Sequence, residues 1–196
     1  LYYDFIDDFS DEYGIDVNTV AYNLGENVSG ISFGASNTLS ETDVAFYTDH
    51  YVLVSKKYEY IDSNKALINK KIGVLSSNLS YITSYLENGN QITLTSYNSD
   101  EELLKAFNEQ TDIQYMVVPM HLYLDKILSN GYKISYHFSD MSYYYKFSIG
   151  EDNLLGSILK KYYNNAEYTM KGNIKNENRN IKSKQLNNGR YRKTTT

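Results

Sequence analysis

Regular alternation of strand-type and helix-type segments in the middle of the chain constrains the fold more than any other sequence feature. Between Lys70 and Phe138, four short apolar runs of strand type are separated by three segments with apolar residues at helical spacing. The connections are short, so the order β-α-β-α-β-α-β predicts a mainly parallel sheet with helices on both faces. In such α/β sheets, ligands bind beyond the carboxyl ends of the strands.

The ends of two predicted helices carry local signals. Ser99 and Glu102 form a capping box, which predicts that a helix begins just after Ser99. Pro119 follows a nearly continuous apolar run, and a proline there can occupy the start of the next helix. The buried stripe predicted for that second helix consists of Leu122, Leu124, Ile127 and Leu128.

A polar turn, Ser76-Ser77-Asn78, follows the first strand of the alternating region. The layout of strand, polar turn and helix directs backbone N–H groups and hydroxyls beyond the end of the strand. One interpretation is plain helix capping, which needs no ligand. The other is a ligand contact, because free N–H groups at a positive helix end suit a carboxylate or another acceptor. The pattern leaves both interpretations open.

Segments on both sides of the alternating region also show helix and strand patterns, so one α/β lobe is predicted to be inserted into another. We expect the first lobe at residues 1–52, the inserted lobe at 53–140 and the return to the first lobe at 141–170. Two strands would cross between the lobes, Tyr51–Ser55 and Tyr143–Ile149. The other predicted elements are helices at Leu1–Tyr13 and Asp152–Tyr163 and strands at Ile15–Tyr22, Ile31–Ala35 and Asp43–Tyr47.

Charge is distributed unevenly along the 196 residues. The segment 171–196 contains eight Lys or Arg and one acid, Glu177, hence about +7, and the total of −5 therefore leaves about −12 for residues 1–170. The acidic body argues against nucleic acid as a partner. The basic segment has too few apolar residues to pack and is predicted to be a disordered tail. The alternative for that tail is an electrostatic contact with a membrane or an acidic partner.

Residues that could support catalysis or metal binding are sparse in the sequence. There is no cysteine, which excludes disulfides, thiol nucleophiles and cysteine-based zinc sites. His121 with Asp125, and His137 with Asp140, are metal-ligand types, but their spacing indicates no convergence of three groups. No Gly-x-Ser-x-Gly elbow or phosphate-binding loop is present. The sequence therefore predicts no catalytic residues, no metal site and no cofactor, and a protein that is not an enzyme.

Four stretches, in this order and spacing, resemble the type 2 (family 3) extracellular solute-binding proteins of ABC importers, in particular the polar amino-acid binders. The stretches are TDVAFYTDHYVLVSKK (Thr42–Lys57), KKIGVLSSNLSYITSYL (Lys70–Leu86), YNSDEELLKAFNEQTDIQYMVVP (Tyr97–Pro119) and YYYKFSIGEDNLLGSILKKYY (Tyr143–Tyr163). The resemblance covers most of residues 1–165. It implies an α/β, two-lobed, periplasmic-binding-protein-like type 2 fold whose first strand would precede Leu1, leaving the first lobe truncated.

The same resemblance implies a function and a location. The family's two lobes close on a small-molecule solute and deliver it to an ABC permease in the membrane. We therefore expect a monomeric, extracytoplasmic protein at the cell surface, associated with the membrane through an anchor outside this chain, as in a lipoprotein. The alternatives are an extracytoplasmic ligand-sensing domain of a signalling receptor, or a degenerate clamp that binds a protein partner.

Site residues follow from the resemblance, position by position. The implied ligand contacts are Gly34, Ser36 and Thr38 in the first lobe and Ser77 and Asn78 in the second. Two positions depart from the family: Glu41 stands where it places an Arg for the ligand carboxylate, and Pro119 where it places an Asp for the amino group. An Arg–carboxylate pair is bidentate and charge-assisted, and hydroxyls do not replace it. These departures favour a neutral or cationic ligand, with Glu41 as counter-charge, or the degenerate clamp.

Overall fold

The structure is a computed structural model, and it describes residues 2–18, 20–21, 30–86, 92–110, 112–149 and 154–165. The helices are α1 (Tyr2–Tyr13), α2 (Leu79–Leu86), α3 (Asp100–Glu109), α4 (Met120–Ser129) and α5 (residues 154–165). The strands are β1 (Ile31–Ser36), β2 (Val44–Ser55), β3 (Lys71–Leu75), β4 (Thr93–Tyr97), β5 (Tyr115–Pro119) and β6 (Lys133–Ile149). Short 3₁₀ turns occupy Asn64–Leu67 and Ser76–Asn78. The predicted basic tail lies outside the described residues.

The chain divides into two compact units. One unit consists of two segments of the chain, the residues up to 32 and the residues from Ile149 onward. In this unit, Phe5 and Phe9 of α1 pack against Tyr162 of α5, with ring centroids 5.3 and 5.4 Å apart. The strand predicted at Ile15–Tyr22 is wrong for its described residues, which adopt no strand. Among the residues that the structure describes, no strand pairs with this segment, and Val20 is 71% exposed.

The other unit, Phe33–Ser148, contains the sheet, in which the strands follow the order β1-β6-β2-β5-β3-β4. β3 is parallel to both β4 and β5, as the alternating pattern predicts. β2 lies between β5 and β6 and is antiparallel to both of them. The sheet is therefore mixed, because a strand from before the alternating region occupies a central position.

Both faces of this sheet are covered. Tyr51 and Leu53 of β2 belong to a buried cluster that includes Ile82 and Leu86 of α2. Val52 and Val54 belong to a second cluster, whose helical members are Leu103 and Phe107 of α3 and Tyr123 and Ile127 of α4. Consecutive side chains of a strand point to opposite faces, so this segment of β2 contributes to both cores.

β2 and β6 are longer than the sequence pattern predicts, because each joins two runs into one strand. Their register shifts between His50, which pairs with Ser142, and Tyr51, which pairs with Phe138. Residues 139–141 of β6 therefore bulge from the ladder. A bulge bends the strand and increases its local twist.

The predicted capping box of α3 is confirmed, whereas the predicted buried face of α4 is only partly correct. The Ser99 side chain accepts a hydrogen bond from the Glu102 amide, as in a capping box. In α4 the buried residues are Tyr123 and Ile127, whereas Leu122 is 46% and Leu128 is 68% exposed. The side chain of Tyr123 points to the core. The buried face of α4 is therefore rotated by about one residue from the predicted face, and Leu122 and Leu128 lie at the surface.

Two leucine truncations test this assignment of buried faces. Leu103→Ala should lower the free energy of unfolding by about 2–5 kcal/mol, because it leaves a cavity in a fully buried site. Leu122→Ala should change it by less than about 0.5–1 kcal/mol, because its side chain is half exposed. Urea unfolding followed by circular dichroism measures both, and equal losses would contradict the described orientation of α4.

Candidate functional site

A lysine holds the connection between β1 and β2. Lys146 of β6 donates from Nζ to the Thr38 carbonyl oxygen at 2.7 Å and also to the carboxylate of Asp43. The Asp43 carboxylate accepts a second bond from the Ser40 amide at 2.9 Å, and the Ser36 hydroxyl donates to the Thr38 carbonyl at 3.1 Å. These bonds fasten both ends of the connection, residues 37–43, to the sheet.

The Lys146–Asp43 pair is largely shielded from water, with side chains 12% and 5% exposed. Burial by itself would raise the pKa of Asp43, but the hydrogen bonds from Lys146 and Ser40 outweigh burial and lower it. The carboxylate form is therefore favoured in the folded protein. The positive charge of Lys146 is therefore paired with Asp43 inside the protein, where it helps to hold the connection.

The 3₁₀ turn Ser76–Asn78 joins β3 to α2. The Ser76 hydroxyl lies 3.0 Å from both the Tyr97 carbonyl oxygen and Asn98 Oδ1, which ties the turn to the end of β4. The Ser77 side chain is exposed, and no residue that the structure describes forms a hydrogen bond with its hydroxyl. Asn78, by contrast, is only 7% exposed. The turn thus presents one solvent-facing hydroxyl and one buried amide.

The connection and the turn meet at two asparagines. Asn37 Nδ2 lies 3.4 Å from Asn78 Oδ1, a long and weak hydrogen bond between residues 41 positions apart in sequence. Next to them, the Tyr51 ring packs against Tyr81 and Tyr143, with centroids 5.7 and 5.8 Å apart. These five residues form what we name the Asn–Tyr cluster: Asn37, Tyr51, Asn78, Tyr81 and Tyr143.

Burial dominates the electrostatics of the cluster. It raises the pKa of Tyr51, with smaller contributions from the neighbouring Tyr143 hydroxyl and the Asp49 carboxylate. Burial likewise raises the pKa of Tyr81 to about 12, although a hydrogen bond from the Ser142 amide at 2.9 Å opposes the shift. All these phenols are therefore neutral near pH 7, and their hydroxyls act as ordinary hydrogen-bond donors and acceptors.

A buried carboxylate lies near the cluster and was not predicted from the sequence. Asp49 of β2 is 1% exposed, and its oxygens accept bonds from the amides of His50 and His121, each at 2.8 Å. His121 Nδ1 lies 2.8 Å from the same carboxylate. The His121 amide belongs to the first turn of α4, where Pro119 supplies no side-chain cap, so Asp49 caps this helix from a neighbouring strand.

His121, which the sequence analysis considered with Asp125 as a metal-ligand type, contacts Asp49. Within the described ranges, no three His, Asp or Glu side chains are close enough together to hold a metal ion. None of the helices in the described part of the chain is long and apolar enough to cross a membrane.

The residues predicted to bind a ligand take different positions. Asn78 contacts Asn37, which lies between Ser36 and Thr38, and Pro119, at the end of β5, is the register partner of Tyr51. Ser77 is exposed beside Asn78. Gly34 lies within β1, and Glu41 is exposed in the turn before β2. Their role as ligand contacts stays a prediction. The sequence patterns did not single out Asn37, Tyr51, Tyr81 or Tyr143 as site residues.

No protein-family model matches the sequence, and no curated protein matches it either. Several solved structures share its fold at low sequence identity. One is the substrate binding protein of an amino acid ABC transporter, with a TM-score of 0.59 and 12% identity over 85% of this chain and 80% of that one. Another is a mutant of ArgBP from T. maritima, with a TM-score of 0.55 and 12% identity over 87% and 80%.

A third is AbpA from Streptococcus pneumoniae, an amino acid ABC transporter substrate-binding protein bound to L-arginine. Its TM-score is 0.52 at 15% identity, and the match covers 70% of this chain and 56% of AbpA. This chain therefore has the mixed α/β fold of periplasmic-binding-protein-like substrate-binding proteins. The fold that the sequence resemblance implies is confirmed.

Replacing Asp49 tests its role as a helix cap supplied by another strand. Asp49→Ala should lower the free energy of unfolding by about 1–3 kcal/mol, because it leaves buried amide donors without an acceptor. Asp125→Ala, at an exposed position of α4, should change it by less than about 0.5 kcal/mol. Urea unfolding measures both, and a silent Asp49→Ala would contradict the capping role.

A pH titration tests the Lys146–Asp43 pair. The pKa of Asp43 is lowered in the folded state, so its stabilisation is complete above the unfolded value of about 3.9. It is lost as the pH falls through the lower folded value. Asp43→Asn should therefore be less stable than the wild type at pH 7, and the difference should shrink below about pH 4.

Urea unfolding at pH 7, 5 and 3 gives this comparison. Asp140→Asn, an exposed position of β6, is the matched control and should follow the wild type at every pH. A stability difference for Asp43→Asn that stays constant with pH would contradict the proposed ionisation.

Proposed function

We propose that this protein binds a small-molecule solute between the connection at residues 37–43 and the turn Ser76–Asn78, without catalysing a reaction. One observation carries the proposal: the 3.4 Å contact of Asn37 with Asn78 brings these two polar segments together at the end of β3. The carboxyl ends of strands are where α/β sheets bind ligands. The exposed Ser77 hydroxyl and the start of α2 offer donors at the same place.

The ligand contacts in this proposal are the residues that the sequence resemblance implies. Backbone groups and hydroxyls near Ser36 and Thr38 face the ligand from one side, and Ser77 and Asn78 from the other. Gly34 leaves room for backbone approach, and Glu41 supplies a counter-charge. Pro119 contributes shape only, because it has no backbone N–H group.

Binding would be coupled to closure of a two-lobed clamp. The lobes are residues 1–52 with 141–170, and residues 53–140, and they would rotate about β2 and β6. The register shift between His50 and Tyr51 supports this hinge, since a bulge is a place where a ladder bends. Ligand contacts from both lobes would stabilise the closed state over the open one.

The likeness to AbpA and to the other amino acid ABC transporter substrate-binding proteins supports transport as the purpose of binding. In this proposal the protein works as a monomer outside the cytoplasmic membrane, held at the cell surface by an anchor, and passes its solute to an ABC permease. No metal, cofactor or nucleic acid takes part.

A second candidate is a clamp that binds a protein partner. The close packing of Tyr51 against Tyr81 and Tyr143 favours it, because these rings already fill space beside the two asparagines. A partner-binding clamp would use surface residues instead of an internal cavity.

A thermal-shift screen over amino acids, polyamines, sugars and oligopeptides tests solute binding. A ligand at about 100 times its dissociation constant stabilises the folded state by about 2.7 kcal/mol. Ser77→Ala should weaken binding about tenfold, the value of one hydrogen bond of about 1.4 kcal/mol, with little change in stability.

The matched control is Ser84→Ala, which removes an exposed hydroxyl from the last turn of α2, away from the turn Ser76–Asn78, and should leave binding unchanged. No shift with any compound would contradict solute binding and support the partner-binding clamp. If Ser77→Ala binds the ligand as strongly as the control variant, the ligand does not contact the turn Ser76–Asn78.

A further inference from the structure

The Tyr51 hydroxyl is buried without a hydrogen-bond partner. Tyr51 is 0% exposed, and none of the residues described places a donor or acceptor in hydrogen-bond geometry with its oxygen. The Asn37 amide lies near enough to oppose the rise in the pKa of Tyr51, but the two groups do not meet that geometry. Buried polar groups in native proteins are nearly always paired, so this unpaired hydroxyl is available to a polar atom of a ligand.

The surroundings of that hydroxyl are aromatic and neutral. The rings of Tyr81 and Tyr143 contact the Tyr51 ring, and the amides of Asn37 and Asn78 meet next to it. The weak contacts here, 3.4 Å between the asparagines and 3.4 Å from the Tyr143 hydroxyl to the Ala35 carbonyl, are easily exchanged for contacts with a ligand.

Positive charges near the cluster are already paired. Lys146 is held by Asp43 and the Thr38 carbonyl, and Lys126 Nζ lies 3.0 Å from Asp100. The sequence contains no arginine before Arg179. A carboxylate removed from water needs a paired cation or several hydrogen-bond donors. Within the part of the chain that the structure describes, the cluster offers a carboxylate no such cation.

Negative charge, in contrast, reaches the cluster from Asp49, the register partner of Tyr143 on the adjacent strand. Burial raises the pKa of Tyr143, and the carboxylates of Asp100, which is paired with Lys126, and of Asp49 raise it further. The Asp49 carboxylate acts on Tyr51 and Tyr145 in the same direction. Tyrosine faces also attract cations directly.

We propose that the Asn–Tyr cluster binds an organic cation that lacks a carboxylate group, an amine or guanidine, whose N–H groups donate to the unpaired Tyr51 hydroxyl and to the Asn78 amide oxygen. An α-amino acid should bind more weakly, because its carboxylate would meet only the neutral donors of Ser77 and the start of α2, and no cation among the described residues. This inference rests on the proposed function and names the ligand class of the same site.

Matched pairs of compounds that differ by one carboxylate test the ligand class on the full chain. The pairs are agmatine with L-arginine, and cadaverine with L-lysine, compared by thermal shift and isothermal titration calorimetry. The decarboxylated amine should bind at least tenfold more tightly than its amino acid. An amino acid that binds as tightly as its amine would overturn the inference and leave solute binding in place. No binding by either member of both pairs would overturn the inference, and the wider solute screen then decides whether solute binding itself fails.

Removal of the unpaired Tyr51 hydroxyl tests whether the amine binds at the Asn–Tyr cluster. Tyr51→Phe keeps the ring, should not lower the melting temperature, and should weaken amine binding about tenfold. Tyr97→Phe is the matched control, because its hydroxyl is also buried and unpaired but lies beside α3 with Glu102 and Glu109. It should leave amine binding unchanged. Equal binding by wild type and Tyr51→Phe would overturn the placement at Tyr51.

Discussion

The burial of β2 on both faces of the sheet is the constraint on which the rest of the structure depends. Its residues Tyr51–Val54 are all 0% exposed, and they pair with β5 on one side and β6 on the other. An apolar run of this kind, with both faces covered, buries enough surface to order the strands beside it. Because β2 runs antiparallel to its neighbours, it also brings the residues that precede it to the carboxyl end of β5.

This placement accounts for the composition of the candidate site. Asp49 and Tyr51 lie at the point where β2 passes the end of β5, so one of them caps α4 and the other is the register partner of Pro119. The carboxylate is satisfied by hydrogen bonds from His50 and His121, whereas the phenol hydroxyl is not satisfied. The proposed amine site rests on this difference, because only the unpaired hydroxyl is left to accept a hydrogen bond from a ligand.

Local patterns predicted much of the fold. The capping box at Ser99 and the start of α4 after Pro119 are confirmed, because such signals depend on atoms three or four residues apart. The strand predicted at Ile15–Tyr22 is absent from the described residues of that range, because apolar alternation forms a strand only when a partner strand is present. The leucine stripe of α4 failed because Tyr123 could be buried with its hydroxyl bonded to Asp100, which no spacing rule anticipates. Of the candidate site, the sequence indicated the turn Ser76–Asn78 and the connection near Ser36, but not the tyrosines that surround them.

By itself the sequence determined the βα alternation, the helix boundaries, the lack of cysteine chemistry and the missing arginine, because each follows from residue type or short spacing. Only the tertiary structure decided that β2 enters the sheet between β5 and β6, that Asp49 caps a helix 72 residues away, and that Asn37 meets Asn78. Contacts at such separations depend on which strands pair with one another in the sheet. That choice is made by the burial of whole segments, and no local pattern encodes it.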